Sequence, residues 1–257
     1  MLEDYVLELI KEDKRVDGRK LDEYRKIEVE TGLIERAEGS ARVRFGETEV
    51  IVGVKLDVGE PFADTPNMGV LITNAEFSPV AHPEFEPGPP GEDAIELARV
   101  VDRGIREGKV INFEKLCIKE GEKVWIVYVD IQIVNHKGNL LDAASLATML
   151  ALLDAKLPKY DPETDTLDRE VRTEEKLPIE HKVVTITVEK IAGKIVADAY
   201  IDEEKVSDAR LTVGVREDGI ICSMQKSGSG YFTPEEVERI IDFAIKKSKG
   251  LLSYCGG

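Results

Sequence analysis

The chain lacks the residue sets from which disulfide frameworks and common metal sites are built. Its 257 residues include three cysteines and three histidines, all far apart, and no two cysteines have the C-x-x-C spacing. An odd number of scattered cysteines argues against a disulfide framework and against a structural zinc site. We therefore expect no metal ion and no cofactor.

Long hydrophobic runs are also missing. None approaches the roughly 18 residues that a transmembrane helix needs. The N-terminal residues are acidic and amphipathic, without a basic start, an apolar run and a small-residue cleavage site, so they predict no signal peptide. We expect no membrane association and a cytoplasmic location.

Positive charge is scarce. The chain has 35 Lys and Arg against 51 Asp and Glu, a net charge of −16. Residues 56–98 contain nine Asp and Glu and neither Lys nor Arg. Proteins that bind nucleic acid through their overall charge are basic, so this chain as a whole repels phosphate backbones. Any contact with nucleic acid has to be made through a local patch.

The distribution of apolar residues predicts a duplicated α+β fold. An apolar fraction of 42% excludes global disorder, and the length suits two domains of ~100–150 residues each. Each half runs through strands, a hairpin, a further strand and a helix, which predicts an α+β (two-layer α/β) duplication. We expect mixed sheets with helices packed on them.

The predicted domains follow from that pattern. An N-terminal helix and arm cover residues 1–26, a first domain residues 27–160 and a second domain residues 181–257. Residues 161–180 are predicted as a linker, because the acidic, Thr-containing segment around them reads as an exposed connection. A helix at about 142–156 is apolar on almost every side, so we expect it to be buried between layers.

A predicted helix at about 93–107 has one basic face. Arg99, Arg103 and Arg106 are four and three residues apart and fall within an arc of ~60°. Spacing alone favours a solvated face with ion pairs to Glu96 and Asp102. The alternative is a row that binds phosphates, because Arg pairs bidentately with them. The apolar residues of this helix lie on the opposite side: Ala94, Leu97, Val101 and Ile105.

The junction before the buried helix resembles an anion site in position but not in side chains. Free backbone N–H groups at a helix start attract anions. Here Leu140 and Leu141 supply no donor, and Asp142 has the wrong charge. We therefore favour an ordinary junction in which Asp142 is the N-cap.

Two further segments give weak hypotheses. Gly228, Ser229 and Gly230 lack the spacing of a phosphate-binding P-loop. A group of acids in the second half offers carboxylates for a divalent cation, although a solvated acidic loop is the commoner explanation. These acids are Asp198, Asp202, Glu203, Glu204 and Asp208.

Several segments together resemble the ribonuclease PH-type family. They are R-V-D-G-R, E-Y-R-K-I-E-V-E-T-G and E-G-S-A-R-V-R-F-G-E-T-E-V-I-V-G-V, followed by N-A-E-F-S-P, E-L-A-R-V-V-D-R and N-L-L-D-A-A-S. The similarity extends from about residue 15 to residue 252. Within the family, the later segments look most like the non-catalytic ring subunits of archaeal exosomes.

The resemblance implies the family's fold, a duplication of β-α-β-α units, and a loss of catalytic activity. Active members degrade RNA from the 3′ end with inorganic phosphate, which a Ser/Thr-Arg pair binds. Those positions are Leu140 and Leu141 here, so the phosphate site is degenerate. The position of the family's catalytic aspartate matches Arg210, with Asp208 as its neighbour after a one-residue gap. The resemblance therefore implies that no residue of this chain is catalytic.

The resemblance also implies partners and reverses the interpretation of the basic face. Arg99, Arg103 and Arg106 become RNA-binding residues at a subunit boundary. The expected partners are a catalytic ribonuclease PH-like subunit in a hexameric ring of three heterodimers, RNA-binding cap subunits and single-stranded RNA. Two alternatives stay open. One is an independently active phosphate-dependent exoribonuclease that uses the acids of residues 202–208, and the other is a structural spacer without RNA contact.

Overall fold

The chain folds into two large β-sheets with helices between them and outside the second sheet. The computed structural model describes residues 2–256, without the side chains of Glu170 and Arg172, and the predicted domain limits at residues 1 and 257 lie outside it. The helices are α1 (Leu2–Lys11), α2 (Glu92–Glu107), α3 (Leu140–Asp154), α4 (Ile201–Glu204) and α5 (Pro234–Leu252). The strands are β1 (Ile27–Thr31), β2 (Gly39–Phe45), β3 (Thr48–Gly59), β4 (Val70–Phe77), β5 (Cys117–Lys119), β6 (Lys123–Asn135), β7 (Lys156–Asp161), β8 (Thr166–Lys176), β9 (Val183–Ile191), β10 (Lys194–Ala197), β11 (Ala209–Arg216) and β12 (Ile221–Ser227).

The first sheet has one face on the core. Its strands are ordered β1-β2-β3-β6-β4, with β5 added beside β6, and only β4 and β6 of the neighbouring pairs are parallel. Along β3, Val50, Val52, Val54 and Leu56 are fully buried, whereas the residues between them are partly exposed. This period of two places every second side chain against the helices. α2 packs on β4, and α3 packs on β2 and β3.

Helix α3 lies between the two sheets. Every residue from 140 to 152 is buried, and the helix contacts β9 of the second sheet, whose order is β10-β9-β11-β12. α5 also contacts β9 and β11. The burial of α3 on all sides thus confirms the prediction, made from its apolar circumference, of a helix buried between layers. Each half is a unit of helix on sheet, which confirms the duplicated α+β fold.

The segment predicted as a linker contains regular structure. β8 pairs with β7 as an antiparallel hairpin whose register shifts twice. Its described side chains are mostly exposed. The composition predicted an exposed connection and no strands, because the stabilising contacts of this hairpin are backbone hydrogen bonds, which leave little apolar periodicity in the sequence.

The start of α3 differs from the prediction. The helix begins at Leu140, and its N-cap is Asn139, which has a left-handed backbone with φ of 53° and makes no side-chain cap bond. Asp142 is therefore the third helical residue, and the prediction that it caps the helix was wrong. Its carboxylate instead bonds to the second sheet.

Helix α5 is capped at its start and buried at its end. Thr233 and Glu236 form a reciprocal capping box, with Glu236 N donating to Thr233 Oγ1 at 3.2 Å. Gly250 does not end the helix, which continues to Leu252. Leu251 is 4% exposed, so its burial holds the last turn in helical form.

No helix within residues 2–256 is both long and apolar enough to cross a membrane.

Candidate functional site

Helix α2 presents its arginines as the spacing predicts. Arg99, Arg103 and Arg106 are exposed on one face. The opposite face packs on β4 and α3. The side chains predicted to pack are all buried: Ala94, Leu97, Val101 and Ile105. The two-sided helix is confirmed, and with it a row of guanidinium groups at the surface.

Arg106 is fixed against the first sheet. Its Nε donates to Asp102 Oδ2 at 2.7 Å, and its Nη2 donates to the carbonyl oxygen of Leu71 at 2.6 Å. Its guanidinium carbon also lies 5.9 Å from the ring centroid of Phe113. The intrahelical ion pair considered for this face therefore exists at Arg106.

Arg99 and Arg103 differ from Arg106. Neither side chain makes a hydrogen bond or an ion pair with any atom that the structure describes in residues 2–256. Both line two open surface grooves of about 290 and 280 Å³. Unpaired guanidinium groups in a groove offer fixed donor pairs that match the oxygens of a phosphate.

The residues predicted as two degenerate centres lie around one cavity. Leu140 and Leu141 at the start of α3 and Arg210 on β11 all line a space of about 150 Å³. The rest of its wall comes from both halves of the chain. It consists of Phe77, Phe85, Asp93, Glu96, Leu97, His136, Asn139, Thr187 and Glu204. The fold thus brings together positions that are about seventy residues apart.

A carboxylate already occupies the start of α3. The backbone N–H of Asn139 donates to Glu204 Oε1 at 2.7 Å, and His136 Nε2 lies 3.9 Å from Glu204 Oε2. Burial raises the pKa of Glu204 to about 7. Burial, together with His82, lowers the pKa of His136 to about 4, so the imidazole is neutral near pH 7. A phosphate at the N–H of Asn139 would have to displace the side chain of Glu204.

Arg210 is bonded to a carboxylate of α2. Its Nη2 donates to Glu96 Oε2 at 2.7 Å, and Ser227 Oγ donates to Glu96 Oε1. Burial alone would lower the pKa of Arg210, but the charges of Glu189, Glu96 and Glu204 raise it. The position predicted to match the family's catalytic aspartate therefore carries a permanent positive charge, and its neighbours stabilise that charge.

Asp208, the neighbour of Arg210 in the predicted match, has an exposed side chain, and its backbone carbonyl makes the contact described next. Its carbonyl oxygen accepts a hydrogen bond from the N–H of Gly230 at 2.7 Å. A Cβ at Gly230 would lie 2.6 Å from the same oxygen, so the glycine permits this close approach. The Gly-Ser-Gly segment thus packs on the turn before β11.

The acids predicted as a solvated loop are partly buried, and that prediction was wrong. Glu203 is 1% exposed and accepts from Arg15 Nε at 2.9 Å and from Arg15 Nη2 at 2.6 Å. Asp198 is 0% exposed and accepts from Arg25 Nη2 at 2.7 Å and from Arg19 Nη1 at 2.9 Å. Within residues 2–256 no three His, Cys, Asp or Glu side chains are grouped so as to hold a metal ion.

These ion pairs join the N-terminal arm to the second half. The sequence analysis missed them, although the R-V-D-G-R segment carries two of the three arginines. Asp142 makes a further link, because its carboxylate accepts from Thr187 Oγ1 at 2.7 Å and from the Tyr24 hydroxyl at 2.8 Å. Arm, α3 and β9 are therefore connected by buried polar contacts around one end of the cavity.

Stability is expected to fall as pH rises because of Glu189. Burial, with a contribution from Glu204, raises the pKa of Glu189 from 4.5 to about 8. Above pH 4.5 the unfolded chain loses this proton while the folded chain keeps it, so the stabilisation is lost as pH rises through about 8. Melting temperatures between about pH 6.5 and 8.5 should decrease, a window above the opposite effect of His136.

Glu189→Gln isolates this contribution. The amide keeps an acceptor for Ser207 Oγ, which donates to Glu189 Oε2 at 2.6 Å, and has no proton to lose. We expect the variant to lose less stability than the parent over the same pH range. Glu238→Gln on the exposed side of α5 serves as the control. Equal slopes for the parent and Glu189→Gln would contradict the assignment.

Comparison with known proteins agrees with this geometry. Models of the 3′ exoribonuclease family match residues 23–158 with domain 1 and residues 181–247 with domain 2. The Exosome complex component Rrp42 of Thermococcus gammatolerans is 50% identical over 253 residues, which are 98% of this chain and 92% of that protein. Its counterpart in Methanothermobacter thermautotrophicus is 47% identical over 249 residues, 97% of this chain and 92% of that protein.

Solved structures give the same result. A chain of the Archaeoglobus fulgidus exosome with RNA bound to the active site superposes with a TM-score of 0.91 at 43% identity, covering 98% of this chain and 97% of that chain. A chain of an archaeal exosome core gives a TM-score of 0.88 at 40% identity, covering 100% and 96%. The two domain models and these relatives cover nearly all of the chain, which therefore belongs to the ribonuclease PH-type 3′ exoribonuclease family.

Proposed function

We propose that this chain is a non-catalytic subunit of an exosome ring that degrades RNA from the 3′ end. The observation that best supports this proposal is the hydrogen bond that the backbone N–H of Asn139 donates to Glu204 Oε1 at the start of α3. A carboxylate holds the place where the helix terminus would bind phosphate, and Leu140 and Leu141 add no donor. Phosphorolysis needs bound phosphate, so the cavity is unsuited to that reaction.

The proposed role in RNA binding rests on α2. Arg99 and Arg103 are exposed and have no partner among the described residues. Single-stranded RNA offers a phosphate at each nucleotide, and these contacts read no base sequence. A local row of this kind is compatible with a net charge of −16, since only a few phosphates are neutralised.

The proposed assembly is a hexameric ring of three heterodimers. In it, this chain alternates with a catalytic ribonuclease PH-like subunit and helps to shape that subunit's active site, while RNA-binding cap subunits complete the complex. The solved neighbours are exosome chains, one of them from a complex with RNA bound. We also propose that the complex is cytoplasmic.

Reconstitution tests this function directly. This chain, its catalytic paralogue and their mixture are each incubated with inorganic phosphate and poly(A), and masses are measured by light scattering. We expect a hexamer-sized species and fast release of nucleoside diphosphates only from the mixture. Release by this chain alone would contradict the proposal and would favour the independent exoribonuclease.

A further inference from the structure

The carboxylate of Glu96 lies next to the row of arginines on α2 but does not pair with it. Glu96 precedes Arg99 by three residues, a spacing at which opposite charges on a helix attract each other. Arg103 lies one further turn along the same side, and both arginines share a groove with Glu96. An ion pair within this helix would occupy a guanidinium group and lower its availability for phosphate.

Two donors from the second sheet hold Glu96 instead. Arg210 Nη2 donates to Glu96 Oε2 at 2.7 Å, and Ser227 Oγ donates to the other oxygen, Oε1. Arg210 and Ser227 are directly opposite each other on β11 and β12. Each carboxylate oxygen of Glu96 thus has its own donor, one from β11 and one from β12. Both donors belong to the second half of the chain, whereas Glu96 belongs to the first.

Arg210 is suited to this task by its surroundings. Its side chain is 28% exposed and that of Glu96 is 27% exposed, so their attraction is less screened than at an open surface. Glu189 is its register partner on β9. Arg210 therefore lies beside Glu189 and is paired with Glu96, and these two contacts keep its side chain in place when RNA binds.

We propose that Arg210 is a positioning residue that withdraws Glu96 from the arginine row and so leaves Arg99 free to bind the phosphates of single-stranded RNA. This inference rests on the proposed RNA-binding function. It assigns a role to Arg210, the position predicted to match the family's catalytic aspartate. The residue acts through Glu96 and does not touch RNA.

The same contacts explain the contrast along α2. At its C-terminal end, Asp102 lies within reach of a cation of its own helix and pairs with Arg106 at 2.7 Å. At its N-terminal end, Glu96 has an external cation and pairs with it across 114 residues of sequence. Competition between an intrahelical and an external partner therefore decides which arginines are available.

The test is a double-mutant cycle in the reconstituted ring, with a labelled oligoadenylate in phosphate-free buffer. Arg210→Met releases Glu96, so we expect RNA affinity to fall about tenfold, the effect of one charge-assisted contact. The salt dependence should weaken by about 0.7, one phosphate. Glu96→Gln alone should bind RNA like the parent, and Arg210→Met with Glu96→Gln should regain the parental affinity and salt slope.

The cycle separates this role from others. If Arg210 contacted RNA or only supported the fold, removing the charge of Glu96 would not rescue Arg210→Met, and that result would overturn the inference. Arg210→Lys, which keeps the charge, should retain most of the affinity and covers the case in which Arg210→Met does not assemble. If Arg99→Glu lowers RNA affinity and Arg210→Met does not, the inference fails alone; if neither does, the RNA-binding function fails.

Discussion

Arg99→Glu combined with Arg103→Glu is expected to lower the affinity of the assembled ring for single-stranded RNA by about 100-fold or more at about 0.1 M salt. Both guanidinium groups are exposed and unpaired among the described residues, so their whole donor capacity is open to phosphate. Loss of two phosphate contacts should also reduce the salt dependence of binding by about 1.4. Fluorescence anisotropy over a salt series measures both quantities.

A matched charge reversal controls for bulk electrostatics. Lys246 and Lys249 are exposed on α5, three residues apart, and Lys246→Glu with Lys249→Glu changes the net charge by the same amount. We expect this variant to bind RNA almost as tightly as the parent, because general charge is screened beyond about 10 Å at 0.1 M salt. Equal losses in the two double variants would refute a local contact and favour the structural spacer.

Asp198→Asn is expected to destabilise the fold by about 3–5 kcal/mol. The carboxylate is 0% exposed and accepts from Arg25 Nε at 2.9 Å, from Arg25 Nη2 at 2.7 Å and from Arg19 Nη1 at 2.9 Å. Burial would raise the pKa of Asp198, but Arg25 outweighs it and lowers the value, so the group is ionised. Loss of the charge leaves the guanidinium group of Arg25 without its ion-pair partner in a buried place, whereas Arg19 keeps its pair with Asp17.

The choice of asparagine keeps the backbone out of the comparison. Asp198 has φ of 45°, a left-handed conformation that asparagine tolerates well. Asp218→Asn in the exposed pair with Arg216 is the matched control, and we expect its guanidinium chloride midpoint to equal that of the parent. A midpoint for Asp198→Asn as high as that of Asp218→Asn would show that the buried network contributes little.

Much of the fold could be predicted because the signals are local. The apolar circumference of α3 depends on residues close in sequence, and it predicted the buried helix correctly. The hairpin β7–β8 was missed because backbone hydrogen bonds pair its two strands. Its charged side chains show no apolar periodicity. The last turn of α5 is likewise held by the burial of Leu251 in a core that a local pattern does not contain.

The candidate site divides in the same way. The exposed side of α2 and the lack of donors at Leu140 and Leu141 follow from helical spacing and side-chain chemistry alone. The partner of each charge does not follow. Glu96 has Arg99 within one helical turn, but it bonds to Arg210 on the second sheet. Sequence spacing treats those choices as equal, whereas the folded chain satisfies one of them.

By itself, the sequence determined the class of the fold, the helix buried between layers, the basic face of α2 and the absence of phosphate donors at the start of α3. These features depend on periodicity and on residue identity, which act over a few residues. Only the tertiary structure decided that Arg106 is engaged while Arg99 and Arg103 are free, and that Asp198 and Glu203 are buried in ion pairs. Such pairs join residues that are more than a hundred positions apart, and in low dielectric surroundings geometry selects the partner.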